Sequence, residues 1–438
     1  MVRKYKQLPH TFLLLALSSS ISFFLLVIST KTSNVSDGLS SLLGWVTLVE
    51  GLIIILGISL TDSQATVAVV TAFCLRAALA IINAYVTPLP YSQADAAAFE
   101  TIGWRWSQDG LVGSLEHFTT GSDLYSWLIS ILYALTNRSP LMIQGLNVLF
   151  GSLIVWNVYC IAKLLWNTPV AVRAAWVTAF FPSLALYSAV TLREVAIVYP
   201  LTLALVYLTR WHHTQKTRHL ILSLVLLAIS ISFHTGIFAV FPALGLIYLS
   251  RWLRSFFILK ESHILRSTGA LLLISVFFGL IVLSGWGLQK FGGSLENISL
   301  EKVATAQEVR ARDRAAYLAN LSINNPLDFA WQTPLRLVYF LYTPFVWMIR
   351  TGADLGAQLD VLLYLGLTIS LYRSRRYILS NPAAWSIFLL LLALITVFAL
   401  STSNYGTALR HRAKFAPLAI SLTVVTPWQR SSRGVRRG

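Results

Sequence analysis

Asp95, Glu194 and the late basic cluster Arg410, His411, Arg412 and Lys414 are the residues whose types and places in the chain could do chemistry. A carboxylate held at a membrane surface can take a proton from a nucleophile as a general base. Cations close by can hold a departing phosphate, and arginine offers a planar fork of donors matched to it. Together they supply what the transfer of a group from a phosphate ester needs, a base for the acceptor and electrostatic stabilisation of the leaving group.

Asp95 lies in Gln93-Ala94-Asp95-Ala96-Ala97-Ala98-Phe99-Glu100, just after Pro88, Pro90 and Tyr91. A purely structural role as a helix cap fits that position equally well. The two roles are compatible, because a helix N-terminus keeps a carboxylate ionised and an ionised carboxylate can act as base. Glu100 stands about 140° around the same helix from Asp95, so the two do not share a face, and Glu100 is expected to contact substrate instead. Around them, Pro88 to Asp123 holds five carboxylates against one arginine, in a chain whose formal charge is +17.

Arg193-Glu194 interrupts an apolar stretch where two helices meet. Ionisable groups in a membrane are expensive unless paired, so a functional role is the first hypothesis, with a local Arg–Glu pair as the alternative. Arg410, His411, Arg412 and Lys414 are placed to hold a phosphate or pyrophosphate, with contact to anionic lipid headgroups as the competing role. His234, at the end of an apolar run, is expected to line the same cavity or to be a satisfied loop histidine. Arg76, inside an apolar helix, is expected to snorkel or pair within the bundle.

The elements that position these groups are membrane helices. Of the 438 residues 56% are hydrophobic and only 12% are charged, and apolar runs long enough to cross a bilayer recur along the chain. Hydrocarbon forces every backbone amide to pair internally, and continuous rather than alternating apolar runs select helices over a barrel. The expected fold is all-α and polytopic, with about twelve transmembrane helices, at 11–30, 39–60, 65–87, 141–164, 169–188, 194–209, 218–233, 236–250, 268–287, 354–372, 383–401 and 414–427. The expected organisation is two N-terminal helices over 1–64, a catalytic membrane domain over 65–428 and a basic tail over 429–438.

Basic clusters fall before the first of these helices, after the sixth, eighth and tenth, and at the chain end, so both termini are expected to be cytoplasmic in a cell inner or plasma membrane. That count puts 88–140, the Arg193-Glu194 junction, 289–353 and 402–413 on the outer face. Apolar stretches at 124–135 and 335–349 are expected to lie on or dip into that face. Ser299 is expected to cap a surface helix running to about Asn320, with Glu308 and Arg312 paired on it and Asn324-Asn325-Pro326 stopping it.

Cys74 and Cys160 both sit in apolar runs without metal-ligand spacing. The absence of a phosphate-binding glycine loop and of the common hydrolase motifs argues against nucleotide-driven transport and several hydrolase classes. The basic excess lies mostly in the cytoplasmic clusters and needs no nucleic-acid partner.

Four segments in order carry a resemblance: Ala94-Asp95-Ala96 followed by Phe99; Gly121-Ser122-Asp123-Leu124-Tyr125-Ser126-Trp127-Leu128; Phe181-Pro182-Ser183 leading to Leu192-Arg193-Glu194; and Arg410-His411-Arg412. Over roughly 65–420 the chain resembles the GT-C superfamily of membrane glycosyltransferases, nearest the aminoarabinose transferase and protein O-mannosyltransferase-like group. The resemblance implies a polyprenyl-phosphate-linked sugar as donor and a lipid, glycan or protein as acceptor. It also implies that Asp95 activates the acceptor, and that Glu194 orients substrate or, as in some members, holds a divalent metal; whether this chain needs one is left open. The chain departs from the pattern by two additional early helices and by Gly121-Ser122 in place of prolines, which leaves the acceptor open.

A direct attack by an acceptor hydroxyl would invert the anomeric carbon, and no second acid is placed for a retaining route. Two other classes stay open on the sequence. An O-antigen ligase or polysaccharide polymerase would rest on outer-face cations more than on an early acid, and a lipid-linked-sugar flippase or transporter would string ionisable residues across the membrane.

Overall fold

The computed structural model describes residues 37–257, 261–286, 315–319, 321 and 325–423, together with Ser20. Among them the structure is helical apart from turns, loops and one antiparallel bridge between Ala316 and Asn404. Among the described residues eight helices are long and apolar enough to cross a bilayer: Ser40–Ser59, Ser63–Tyr85, Pro140–Leu165, Glu194–Thr214, Thr235–Phe257, Ile264–Ser284, Asp354–Ser380 and Pro382–Ser401. The chain is a multi-pass membrane protein.

In chain order the first helices are α1 (Asp37–Ser59), α2 (Ser63–Tyr85), α3 (Ala94–Ser107), α4 (Gly110–Glu116), α5 (Asp123–Leu135), α6 (Pro140–Leu165), α7 (Thr168–Phe180) and α8 (Pro182–Tyr187). There follow α9 (Glu194–Thr214), α10 (Thr217–Phe233), α11 (Val240–Phe257), α12 (Glu261–Ser284) and α13 (Pro326–Tyr342). The last are α14 (Gly352–Ser380), α15 (Pro382–Ser401), α16 (Tyr405–Ala413) and α17 (Ala416–Thr423).

Helix starts follow local chemistry. Ser139, Asn167 and Asn381 each accept a backbone N–H of the helix they precede, and each of those helices carries proline in its first turn. Proline there costs nothing, since the missing N–H would have had no helical partner. The bundle is organised on α6, which packs against α1, α2, α7, α9 and α17. Close approach requires small residues: a Cβ on Gly151 of α6 would stand 2.4 Å from Ser188 Cβ, and one on Gly44 of α1 would stand 2.6 Å from Leu141 Cβ.

The expected crossing at 169–188 is broken at Phe181-Pro182 into α7 and α8. Proline withdraws a helical N–H and displaces the carbonyls before it, and Arg76 answers that loss. Fully buried in α2, Arg76 donates to Ala179 O (3.0 Å), Thr178 O (3.2 Å), Ala72 O (3.0 Å) and Ser188 Oγ (3.0 Å). It is paired within the bundle, with carbonyl and hydroxyl oxygens in place of a carboxylate.

The other expected crossings that are not among the eight have separate reasons. The 11–30 helix lies outside the described residues apart from Ser20, α10 is shorter than the eight, and the described part of the 414–427 helix is the short α17. Most of the expected 299–320 helix, with Ser299, Glu308 and Arg312, is likewise outside the described residues. Residues 315–319 within it form a turn that pairs with the chain before α16, through Tyr317 N to Ser403 O (2.9 Å) and Tyr405 N to Ala315 O (2.9 Å). Asn325-Pro326, read as a stop, starts α13: Asn325 accepts from Leu327 N and Asp328 N while Asp328 accepts from Asn325 N, a reciprocal cap. The apolar stretch expected at 335–349 is therefore the second half of α13 followed by a 3-10 turn at Val346–Met348.

Candidate active site

Three residues far apart in sequence meet at one end of the bundle. Glu194 is the first residue of α9, Asp95 lies in the first turn of α3, and Arg410 lies in the last turn of α16. Arg410 donates from Nε (3.1 Å) and Nη2 (2.8 Å) to Glu194 Oε1, and from Nη1 to Asp95 Oδ2. Arg410 and Glu194 are largely buried, whereas the Asp95 side chain is 56% exposed, which leaves it the member open to an incoming molecule.

The geometry assigns a job to each oxygen. Asp95 makes no side-chain cap bond on α3, so its position in the first turn is used for ion pairing. Its Oδ1 takes no hydrogen bond from the described residues. Glu194 Oε2 is buried and likewise has no hydrogen-bond partner there. A buried acceptor left open is costly, and marks a place where a bound hydroxyl or water would be held. Glu194 borders a narrow cleft with apolar walls, among them Ile154, Leu184, Val195 and Val198.

Positive charge surrounds Glu194: Arg410, Lys414 and Arg193 all act on it. Burial works against the charge on Arg410, but Glu194 and Asp95 outweigh it and raise its pKa above the usual guanidinium value. Arg193, just before α9, donates from Nη1 to Phe233 O (3.0 Å) and sits 5.7 Å over the Phe99 ring. Lys414 is buried, with Nζ 2.8 Å from His411 Nδ1. An ammonium can only donate, so Nδ1 accepts and the imidazole proton rests on Nε2. The His411 ring stands 5.3 Å from that of His234, edge to face, with Phe398 against both.

The loop before Glu194 is fixed from below. Asn147 Nδ2 of α6 lies within hydrogen-bonding distance of Val190 O (2.8 Å), Leu192 O (3.0 Å) and Tyr125 Oη (2.9 Å). Gly151, one turn further along the same helix, lets Ser188 and Arg76 approach. α6 thereby sets where α9 begins.

Two expected site residues are placed elsewhere. Arg412 is fully buried and donates to Leu341 O and to Thr343 O (2.8 Å), at the C-terminal end of α13. It answers carbonyls that a helix end leaves open, a favourable place for a cation, and is turned away from Arg410. Glu100 is buried in an ion pair with Arg138, at 2.9 and 2.7 Å, and accepts from Tyr133 Oη at 3.0 Å. It ties α3 to the α5–α6 connection and is not grouped with Asp95, in keeping with the helical angle between them. Arg138 was not singled out from the sequence, nor was Asp360, buried in α14 beside Ser183 and Arg412. A lone aspartate in an apolar run was the available signal for the latter.

The described residues do not assemble a metal site. Arg410 already occupies the position between Asp95 and Glu194 that a bridging cation would take, and among the described residues no group of three or more histidine, cysteine or acidic side chains is placed for a metal.

The family model for dolichyl-phosphate-mannose-protein mannosyltransferases matches residues 123–281, from α5 to α12. That stretch, about a third of the chain, is similar to the family. Among solved structures, the archaeal oligosaccharyltransferase AglB from Archaeoglobus fulgidus, in complex with an inhibitory peptide and a dolichol-phosphate, superposes with a TM-score of 0.51 at 13% identity. That alignment covers 82% of this chain and 50% of AglB, so the chain spans about half the length of that relative. The apo form of the Archaeoglobus fulgidus oligosaccharyltransferase gives a TM-score of 0.47 at 12% identity, covering 84% of this chain and 51% of the other. No curated protein matches the sequence. At these identities the structural likeness concerns the fold, and the site rests on its own geometry.

Proposed function

We propose that this protein is a glycosyltransferase that moves a sugar from a polyprenyl-phosphate carrier to an acceptor hydroxyl at the outer face of the membrane, with inversion at the anomeric carbon and Asp95 as the general base. The observation that carries the reading is the bridge made by Arg410 between Asp95 and Glu194. It holds an exposed carboxylate and a guanidinium together, as acceptor activation and phosphate departure require.

In this reading the acceptor hydroxyl gives its proton to Asp95 Oδ1 as its oxygen attacks the anomeric carbon. The bond from that carbon to the carrier phosphate breaks, and the phosphate leaves with the electron pair. Arg410 uses three N–H groups internally and has two more with which to meet the developing charge. Lys414 and Arg193 contribute positive potential, and Glu194 Oε2 accepts from a hydroxyl of the bound sugar. The lipid-linked donor is supported by the family match and by the dolichol-phosphate named with AglB; the peptide named with it points to a protein as one acceptor class.

Asp95→Asn keeps the size of the side chain and removes the base. Sugar transfer assayed in membranes with a polyprenyl-phosphate-linked sugar is expected to fall by roughly 10²–10⁴-fold. Transfer at the wild-type rate would overturn the assignment of Asp95, and a product that keeps the donor's anomeric configuration by NMR would overturn inversion.

A further inference from the structure

At the other end of α9, helices α9, α11, α12, α14 and α15 enclose a cavity of about 550 Å³ that is separate from the proposed active site. Glu194 and His212 lie on one helix about 27 Å apart at 1.5 Å per residue, close to the thickness of a bilayer's hydrocarbon core. The volume falls within the roughly 300–1,000 Å³ of small-molecule sites.

Arg251, Arg254 and Arg266 line the cavity, and among the described residues no carboxylate does. Arg251 is already committed. Its Nη2 donates to Pro382 O (2.9 Å) and Ser386 Oγ (2.9 Å), and its Nη1 lies 3.3 Å from His212 Nδ1. Arginine has no acceptor, so His212 Nδ1 accepts and its proton stands on Nε2, toward Tyr248 Oη at 3.1 Å. This anchored layer forms the floor. Arg254 and Arg266 are exposed to the cavity and make no hydrogen bond or ion pair with the described residues. Like charges gathered without an acid repel one another, and an anion is the partner that turns the repulsion into binding.

The rest of the lining is mixed, with Gln215, Ser250, Ser255 and Ser267 beside an apolar wall. Ile247, Leu379 and Leu389 provide hydrocarbon, while Trp211 and Trp385 are the residue type that sits at membrane–water boundaries. A cationic mouth joined to an apolar wall at the edge of the bilayer fits a molecule of the same two-part character. We propose that this cavity binds the phosphate headgroup of a membrane amphiphile, with Arg254 and Arg266 on the phosphate and the leucine and tryptophan wall against its chain.

The test uses the full-length protein in maltoside micelles, with bound dodecyl phosphate counted by native mass spectrometry. Whatever binds at Arg410, the variant Arg254→Gln/Arg266→Gln is expected to lose one bound molecule, with affinity at that site reduced about tenfold or more. Arg254→Lys/Arg266→Lys, which keeps the charge, is expected to retain the molecule. Ser267→Glu, which adds a carboxylate to the wall and removes no arginine, is expected to lose it and provides a second measure should the double variant fail to fold. Equal binding by the wild type and the glutamine variant overturns the proposal. So does inorganic phosphate binding as tightly as dodecyl phosphate, because the site would then recognise a soluble anion.

Discussion

Arg410 is the residue on which the proposed site turns, because its one guanidinium satisfies two carboxylates from helices distant in the chain. Removing it takes from the buried Glu194 the cation that hydrogen-bonds it, leaving only the potential of Lys414 and Arg193, and breaking a buried pair costs about 3–5 kcal/mol. Arg410→Ala is therefore expected to lower the thermal midpoint sharply and to abolish transfer. Adding Glu194→Gln should restore much of the stability without restoring transfer, and the thermal midpoints of the two single variants and the double variant check this. Additive losses would mean that the two side chains are not coupled. Residue types made Asp95, Glu194 and Arg410 legible as candidates. They did not separate Arg410 from Arg412, because the two neighbours in sequence differ only in which way α16 turns them.

At the scale of elements, the active end depends on how closely α6 meets the broken segment α7–α8. Gly151→Ala would put a methyl carbon 2.4 Å from Ser188 Cβ and against Arg76, so the loop carrying Arg193 and Glu194 must shift. Overpacking of this kind costs typically about 1–3 kcal/mol. Thermal unfolding of Gly151→Ala is expected to show that loss, together with a fall in transfer larger than the fall in folded protein. Unchanged transfer would show that α6 does not set the position of Glu194. The helix break at Pro182 and the start of α13 at Asn325-Pro326 show where local signals end. Proline marks a discontinuity in either case, but whether a helix stops or begins there depends on which capping partners the neighbouring residues provide.

Across the whole molecule, the proposed site and the arginine cavity occupy opposite ends of the same helix, so the orientation of the chain decides which compartment each one faces. On the distribution of basic residues we propose that the α3–α4 region faces outside and the α9–α10 turn the cytoplasm. In a background with Cys74 and Cys160 replaced by alanine, Gln108→Cys is expected to react with a membrane-impermeant maleimide on intact cells. Lys216→Cys is expected to react only after permeabilisation. The reverse pattern would invert the topology and move the proposed transfer to the cytoplasmic face. Apolar run length was enough to identify membrane helices, since the hydrocarbon imposes one requirement on every segment. It was less reliable at 169–188, where a run of apolar residues is interrupted by a break that only the surrounding helices stabilise.

The sequence by itself determined the class of molecule, a helical membrane protein, because burial in hydrocarbon is a property that each segment meets alone. It also determined which side chains are costly enough in that setting to need partners. Only the tertiary structure decided what those partners are. Arg410 takes Asp95 and Glu194, Arg412 takes the carbonyls at the end of α13, and Glu100 takes Arg138. Each pairing joins residues far apart in the chain, so it depends on the packing of helices against one another and leaves no periodic mark in the order of the residues.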